Sequence, residues 1–167
     1  FNYKAVSSVG ASGIWQFMRS TGKNYMRIDN YVDERRDPIA ASRSAAQYLK
    51  SAYRALGTWP LAVTSYNHGV TGSARASNQV GSKRLIDLIR NYQSESFGFA
   101  SKNFYVSFLA ALEISRNYRS YFPGLVVSEP VRFDEVRLAK PVTYRTALGY
   151  AGMSNESFDF VNPGLLA

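Results

Sequence analysis

Gly10-Ala11-Ser12-Gly13-Ile14-Trp15-Gln16-Phe17-Met18 is the stretch on which the fold reading turns. Ile14, Trp15, Phe17 and Met18 crowd apolar side chains around one carboxamide, and this pattern predicts a short, largely buried helix that ends near Gly22. Gly13 permits close approach to the backbone. Gln16 offers both donors and acceptors. Such a mixture suits sugar recognition, where amides and aromatic faces line a concave site. On residue type alone, Gln16 equally suits satisfying backbone groups at a helix end, and Trp15 and Met18 equally suit a core.

Ser-, Gly- and Asn-rich residues 1–12 before that stretch and polar residues 23–36 after it read as irregular connections. Asp37-Pro38 is a strong helix start, because Asp caps free amides and Pro suits the first helical position. Ala41, Ala45, Tyr48, Leu49, Ala52 and Leu56 follow at helical spacing, and Gly57 stops the run. Thr58-Trp59-Pro60 opens a second helix that runs to Tyr66 and breaks at Asn67-His68-Gly69. Residues 70–82 are rich in Gly and Ser, with a short helix expected around 73–76. Leu85–Ile89 marks another helix. Ser101 is expected to cap the strongest one, in which Phe104, Tyr105, Phe108, Leu109 and Leu112 recur at three and four. That helix ends before Phe122-Pro123-Gly124. Beyond it, Glu129–Leu138 alternates enough for one or two short strands, and Thr143 and Ser154 each open a short helix. The expected fold is mainly α: a helical domain over residues 1–124, with a small mixed αβ extension over residues 125–167.

Composition bounds the function. The chain has 167 residues and a formal charge of +8, from 20 Lys+Arg against 12 Asp+Glu. A basic surface suits polyanions such as nucleic acid or an acidic wall polymer. Yet the basic residues are scattered, in pairs no longer than Arg35-Arg36 and Lys83-Arg84, so they read as a solvated surface. No groove-reading motif supports a nucleic-acid partner. There is no cysteine and one histidine, so neither a disulfide framework nor a metal site is expected, and no organic cofactor. The apolar runs are far short of a membrane span. The chain opens on Phe1 and not on Met, and reads as a piece of a longer precursor.

Two further segments repeat the combination of carboxamide and aromatic. Ser65-Tyr66-Asn67-His68-Gly69 ends one helix, and Asn103-Phe104-Tyr105 begins another. Each has a second reading. Asn67 also suits a helix C-cap, Tyr105 an apolar core position, and His68 a surface histidine beside a helix end.

Taken in order, the three segments resemble the lytic transglycosylase (Slt) family, with its goose-type-lysozyme-like fold, nearest to its membrane-bound murein transglycosylase D branch. The family pattern Gly-Ala-x-Gly-(Leu/Ile)-(Trp/Met)-Gln-(Phe/Ile)-Met matches Gly10–Met18. Its Ala-Tyr-Asn-x-Gly matches Ser65–Gly69, with Ser65 in place of Ala. Its late-helix tyrosine matches Tyr105, in Lys102-Asn103-Phe104-Tyr105-Val106. Arg19 stands where the family commonly has Pro. The likeness covers roughly residues 1–123. Residues 143–165 loosely resemble a degenerate LysM-like segment.

The resemblance implies cleavage of the β-1,4 bond between N-acetylmuramic acid and N-acetylglucosamine in peptidoglycan. One glutamic acid protonates the bridging oxygen; as carboxylate it then takes the proton of the muramyl 6-hydroxyl, which closes a 1,6-anhydro ring. Lysozyme-type hydrolysis is the variant in which water attacks instead. Such a residue needs an apolar surround that raises its pKa. By the same resemblance Tyr105 orients the glutamate, Gly13, Gln16, Met18, Tyr66 and Asn67 contact the sugars, and the compartment is the periplasm or cell envelope, with secretion the further option. The glutamate itself is expected three positions before Phe1, outside this sequence. The six glutamates present are Glu34, Glu95, Glu113, Glu129, Glu135 and Glu156. Glu95-Ser96-Phe97 echoes the missing segment, but it follows the second motif and reads as an interhelical connection. The expected partner is therefore a peptidoglycan glycan strand, bound by a monomer. A non-catalytic glycan-binding domain of the same fold is the competing reading.

Overall fold

A computed structural model describes residues 2–166 and is mainly helical, as expected of a lysozyme-like domain. Its chain divides into two compact units. One is Tyr48–Ser128; the other is formed by the residues before and after it. Among the described residues, no helix is long and apolar enough to cross a membrane.

In the first unit, α1 (Arg19–Gly22) is a single turn, followed by a 3-10 turn at Glu34–Arg36. The long α2 (Pro38–Leu56), whose residues from Tyr48 on are counted with the second unit, starts at the predicted residue. The Asp37 carboxylate accepts from the amides of Ile39 (2.8 Å) and Ala40 (3.0 Å), so it satisfies donors that the first turn leaves unpaired. Ala41 and Ala45 are fully buried on its inner face.

The second unit holds α3 (Trp59–His68), α4 (Val70–Val80), α5 (Leu85–Asn91), a 3-10 turn at Glu95–Phe97, α6 (Phe99–Arg116) and the short α7 (Tyr118–Tyr121). Its core gathers Leu56, Leu61, Ala76, Leu85, Leu88, Tyr92 and Phe97. Full burial of a side chain such as Leu61 or Leu88 contributes roughly 1.5–3 kcal/mol. α3 runs two residues past its predicted end, and the break falls at Gly69 alone, whose φ of 84° suits a residue without a Cβ.

Three sequence expectations are corrected here. The Gly- and Ser-rich segment after Gly69 is not a loop with a short helix in it; α4 fills nearly all of it. Its small residues Ser73, Ala76 and Ser77 are buried, so tertiary packing overrides weak helix propensity. The second correction concerns the tail. Glu129–Leu138 forms no strand: it carries no regular secondary structure, and its apolar residues are exposed. Period-two alternation suits a sheet surface, but a strand also needs a pairing partner, and only isolated bridges occur among the described residues. Finally, α6 begins two residues before Ser101, with Gly98 at its N-cap, so Ser101 does not cap it.

The two helix starts in the tail are as read. Thr143 accepts from the Thr146 amide at the head of α8 (Tyr144–Ala151), and Ser154 from the Ser157 amide at the head of α9 (Asn155–Val161). Within this same unit the end of the tail pairs with earlier residues: Asp33 donates its amide to the Gly164 carbonyl (2.7 Å), and Leu166 donates to Tyr31 (2.8 Å).

Candidate functional site

The Gly10–Met18 stretch is a tight loop and not the predicted helix. Ser12 bridges antiparallel to both Val6 and Phe17, and residues 13–16 form the turn between Ser12 and Phe17. Two residues force the turn. Gly13 has φ 77°, and Gln16, at φ 50°, is the one non-glycine residue with positive φ among the described residues. The Gln16 side chain steadies its own turn, its Nε2 donating to the Gly13 carbonyl at 2.7 Å. Gln16 and Met18 stay exposed, while Phe17 is buried. Trp15 is anchored at its polar edge. Its Nε1–H donates to Ser42 Oγ (2.8 Å), whose own proton goes to the Pro38 carbonyl (2.6 Å).

What holds the loop is Arg35, which the sequence reading assigned to a solvated basic pair. It is 6% exposed. Its Nη1 donates to the carbonyls of Gly10 (2.9 Å) and Phe17 (3.0 Å), one near each end of the loop. Its Nε and Nη2 grip both oxygens of buried Asp33 at 2.9 and 2.7 Å. Burial alone pushes the Asp33 carboxyl up, but the hydrogen bonds and charge of Arg35 outweigh this and hold it below the usual carboxylate range. A fork of planar donors is needed to reach four acceptors at once, and among side chains only arginine has one. An Arg two residues after an Asp is too common a signal to have found this clamp.

In the second unit, Asn67 lies in the last turn of α3, exposed, and does not cap it; Gly69 is the C-cap. Its Oδ1 accepts from the hydroxyl of Ser101 at 2.8 Å. The neighbouring His68 is no surface histidine. Its ring is half-buried, edge-on to Phe97 (4.9 Å) and Tyr92 (6.5 Å), and Nδ1 donates to the Ser96 carbonyl at 3.0 Å. Asn67 and His68 are thus both tied to the corner where the 3-10 turn enters α6.

Tyr66 packs edge-on against Tyr48 (5.2 Å) and parallel to Phe104 (6.4 Å). Burial, with a smaller contribution from Tyr48, pushes its phenol well above the usual range, so it remains protonated. Tyr105 is half-buried against the core of this unit and stacks with Phe108 at 6.2 Å. None of the six glutamates is buried. Glu34 accepts from the Arg27 amide, Glu113 from Asn117, and Glu135 pairs with Arg43. Among the described residues, no group of His, Asp and Glu is arranged to hold a metal ion.

The geometry therefore gives two prepared features. One is a braced turn that presents Gln16 and Met18. The other is a helix end that presents Asn67 beside Tyr66, with Tyr105 on the partner helix α6. Over 168 aligned residues the chain is 28% identical to "Membrane-bound lytic murein transglycosylase D" from Escherichia coli strain K12, and equally so to the protein of that name from Escherichia coli O6:H1. The alignment covers 99% of this chain but 36% of each relative, so the chain spans about a third of their length. The sequence profile of the transglycosylase SLT domain matches residues 1–89, which include both the Gly10–Met18 and the Ser65–Gly69 segments. The chain belongs to the transglycosylase SLT domain family.

Proposed function

We propose that this chain is the glycan-cleaving domain of a peptidoglycan lytic transglycosylase. It cuts the MurNAc–GlcNAc β-1,4 bond and leaves a 1,6-anhydro muramyl end. The observation that carries the reading is the family match over residues 1–89, joined to the braced Gly10–Met18 turn inside it. Gly13, Gln16 and Met18 form one sugar-contacting wall. Tyr66 and Asn67 form another contact, and Tyr105 orients the acid. That acid is a glutamate three positions before Phe1. It protonates the bridging oxygen as the bond breaks, and as carboxylate it takes the proton of the muramyl 6-hydroxyl that attacks the anomeric carbon. A single carboxyl group serves both steps, unlike the paired carboxylates of most glycosidases.

Residues 1–124 carry this activity, with 125–167 as an appended segment. The protein acts as a monomer in the periplasm or cell envelope, a location supported by the words "membrane-bound" and "murein" in the relatives' names.

The alternative is a domain of the same fold that binds glycan without cutting it. Mass spectrometry of a peptidoglycan digest separates the readings. Anhydro ends support the transglycosylase and reducing ends a lysozyme-type hydrolase. Retention on cell walls without products supports the binding domain.

A further inference from the structure

We infer that Ser101 is a positioning residue, which locks the Asn67 carboxamide with its oxygen inward and its NH2 outward as a donor to an acceptor oxygen of the bound glycan. The inference rests on the proposed glycan contact of Asn67 and specifies how that contact is made.

Ser101 is 3% exposed, in the first turn of α6. Its one hydroxyl proton has two acceptors within reach. Asn67 Oδ1 lies at 2.8 Å and the Ser96 carbonyl at 3.4 Å. The shorter contact takes the proton, since hydrogen bonds between oxygens weaken quickly beyond about 3 Å. The consequence is directional. A terminal amide turns broadly about its last torsion, and an exposed asparagine without a partner offers either its oxygen or its nitrogen to a ligand. Here the oxygen is occupied from the buried side, and the two N–H donors remain on the exposed side.

The Ser96 carbonyl is the more distant acceptor of the two, and it also accepts from a second donor. His68, next to Asn67, donates Nδ1–H to it at 3.0 Å, and Phe97 packs on the His68 ring. The pair of bonds ties two successive residues of the α3 end to the start of α6. A binding group held this way loses little freedom when ligand arrives, which is how preorganisation raises affinity.

The test is a double-mutant cycle in the full-length protein acting on soluble glycan strands. Ser101→Ala is expected to raise KM roughly five- to ten-fold with kcat changed less than about two-fold, the mark of lost uniform binding. Ser101→Thr keeps the hydroxyl and is expected to restore KM. In an Asn67→Ala background, Ser101→Ala is expected to add nothing, because the group it positions is gone. Asn67→Asp leaves Ser101 intact and keeps its inward acceptor, but has no outward donor, so it is expected to bind at least as poorly as Ser101→Ala. Should Asn67→Ala weaken binding while Ser101→Ala leaves KM unchanged or acts with full effect in both backgrounds, the inference is overturned and the contact of Asn67 stands. Wild-type KM in Asn67→Asp likewise overturns the outward donor. Wild-type KM in Asn67→Ala overturns the glycan contact itself, and with it the inference.

Discussion

A side chain on Gly13 would collide with the main chain of Arg35: a Cβ there would overlap the Arg35 carbonyl oxygen and lie 2.7 Å from its carbon. A glycine at this position thus has a local cause. The turn that presents Gln16 closes directly onto the 3-10 segment whose arginine clamps both its ends.

Gly13→Ala should therefore be among the most damaging small substitutions in the chain. It combines a steric conflict with backbone and a φ of 77° that alanine tolerates poorly. The expected loss is about 3 kcal/mol, or roughly 10 °C in melting temperature. Thermal denaturation followed by circular dichroism checks it, and an unchanged melt would mean the loop moves freely away from Arg35.

Arg35→Ala strands the buried Asp33 carboxylate and the buried Phe17 carbonyl, and is expected to cost about 3–5 kcal/mol. Arg35→Lys should recover little of this, because one ammonium cannot reach Asp33 and both loop carbonyls. Denaturant titration of the two variants decides the matter. Equal stability of the lysine variant and wild type would reduce the clamp to a simple ion pair.

The Asp33 carboxyl is held below its ordinary value in the folded protein, so its contribution to stability is present above about pH 4 and is lost as pH falls through the depressed folded value. Wild type should exceed Asp33→Asn in stability at pH 6, and the gap should narrow as the pH falls below about 4. Asp29, held down to about 2 by the amide of Tyr31, the side chain of Arg27 and the amide of Val32, should likewise titrate below the ordinary carboxylate range by NMR. A gap that is constant with pH would remove the linkage.

Tyr66 behaves in the opposite sense. Its raised phenol value means that its contribution holds below about pH 10 and is lost as pH rises through the folded value. In an ultraviolet alkaline titration, Tyr66→Phe should remove one tyrosine from the late-ionising group and leave the early one unchanged. Loss of an early-ionising tyrosine would contradict its burial against Tyr48 and Phe104.

How much of this was legible in the sequence follows from how local each determinant is. The start of α2 was readable because Asp37 and Pro38 act on their own first turn. So were the caps at Thr143 and Ser154. The Gly10–Met18 turn was misread as helix because its apolar spacing is right for one, while the force that bends it comes from Arg35. α4 was under-read because Thr71, Gly72 and Ser73 are poor helix formers that packing nevertheless holds in place. Ser101 was taken for a cap, the commonest use of a serine near a helix start. Its hydroxyl goes instead to Asn67, a residue on another helix that no local rule connects to it. The candidate residues themselves were legible only as an ordered set, through the family pattern.

The central claim is tested most directly by incubating the full-length protein with purified peptidoglycan and analysing the released muropeptides by mass spectrometry. The account predicts products that end in 1,6-anhydro-N-acetylmuramic acid, and their loss when the glutamate proposed three positions before Phe1 is changed to glutamine. Walls that are bound but released intact by the unaltered protein would contradict it.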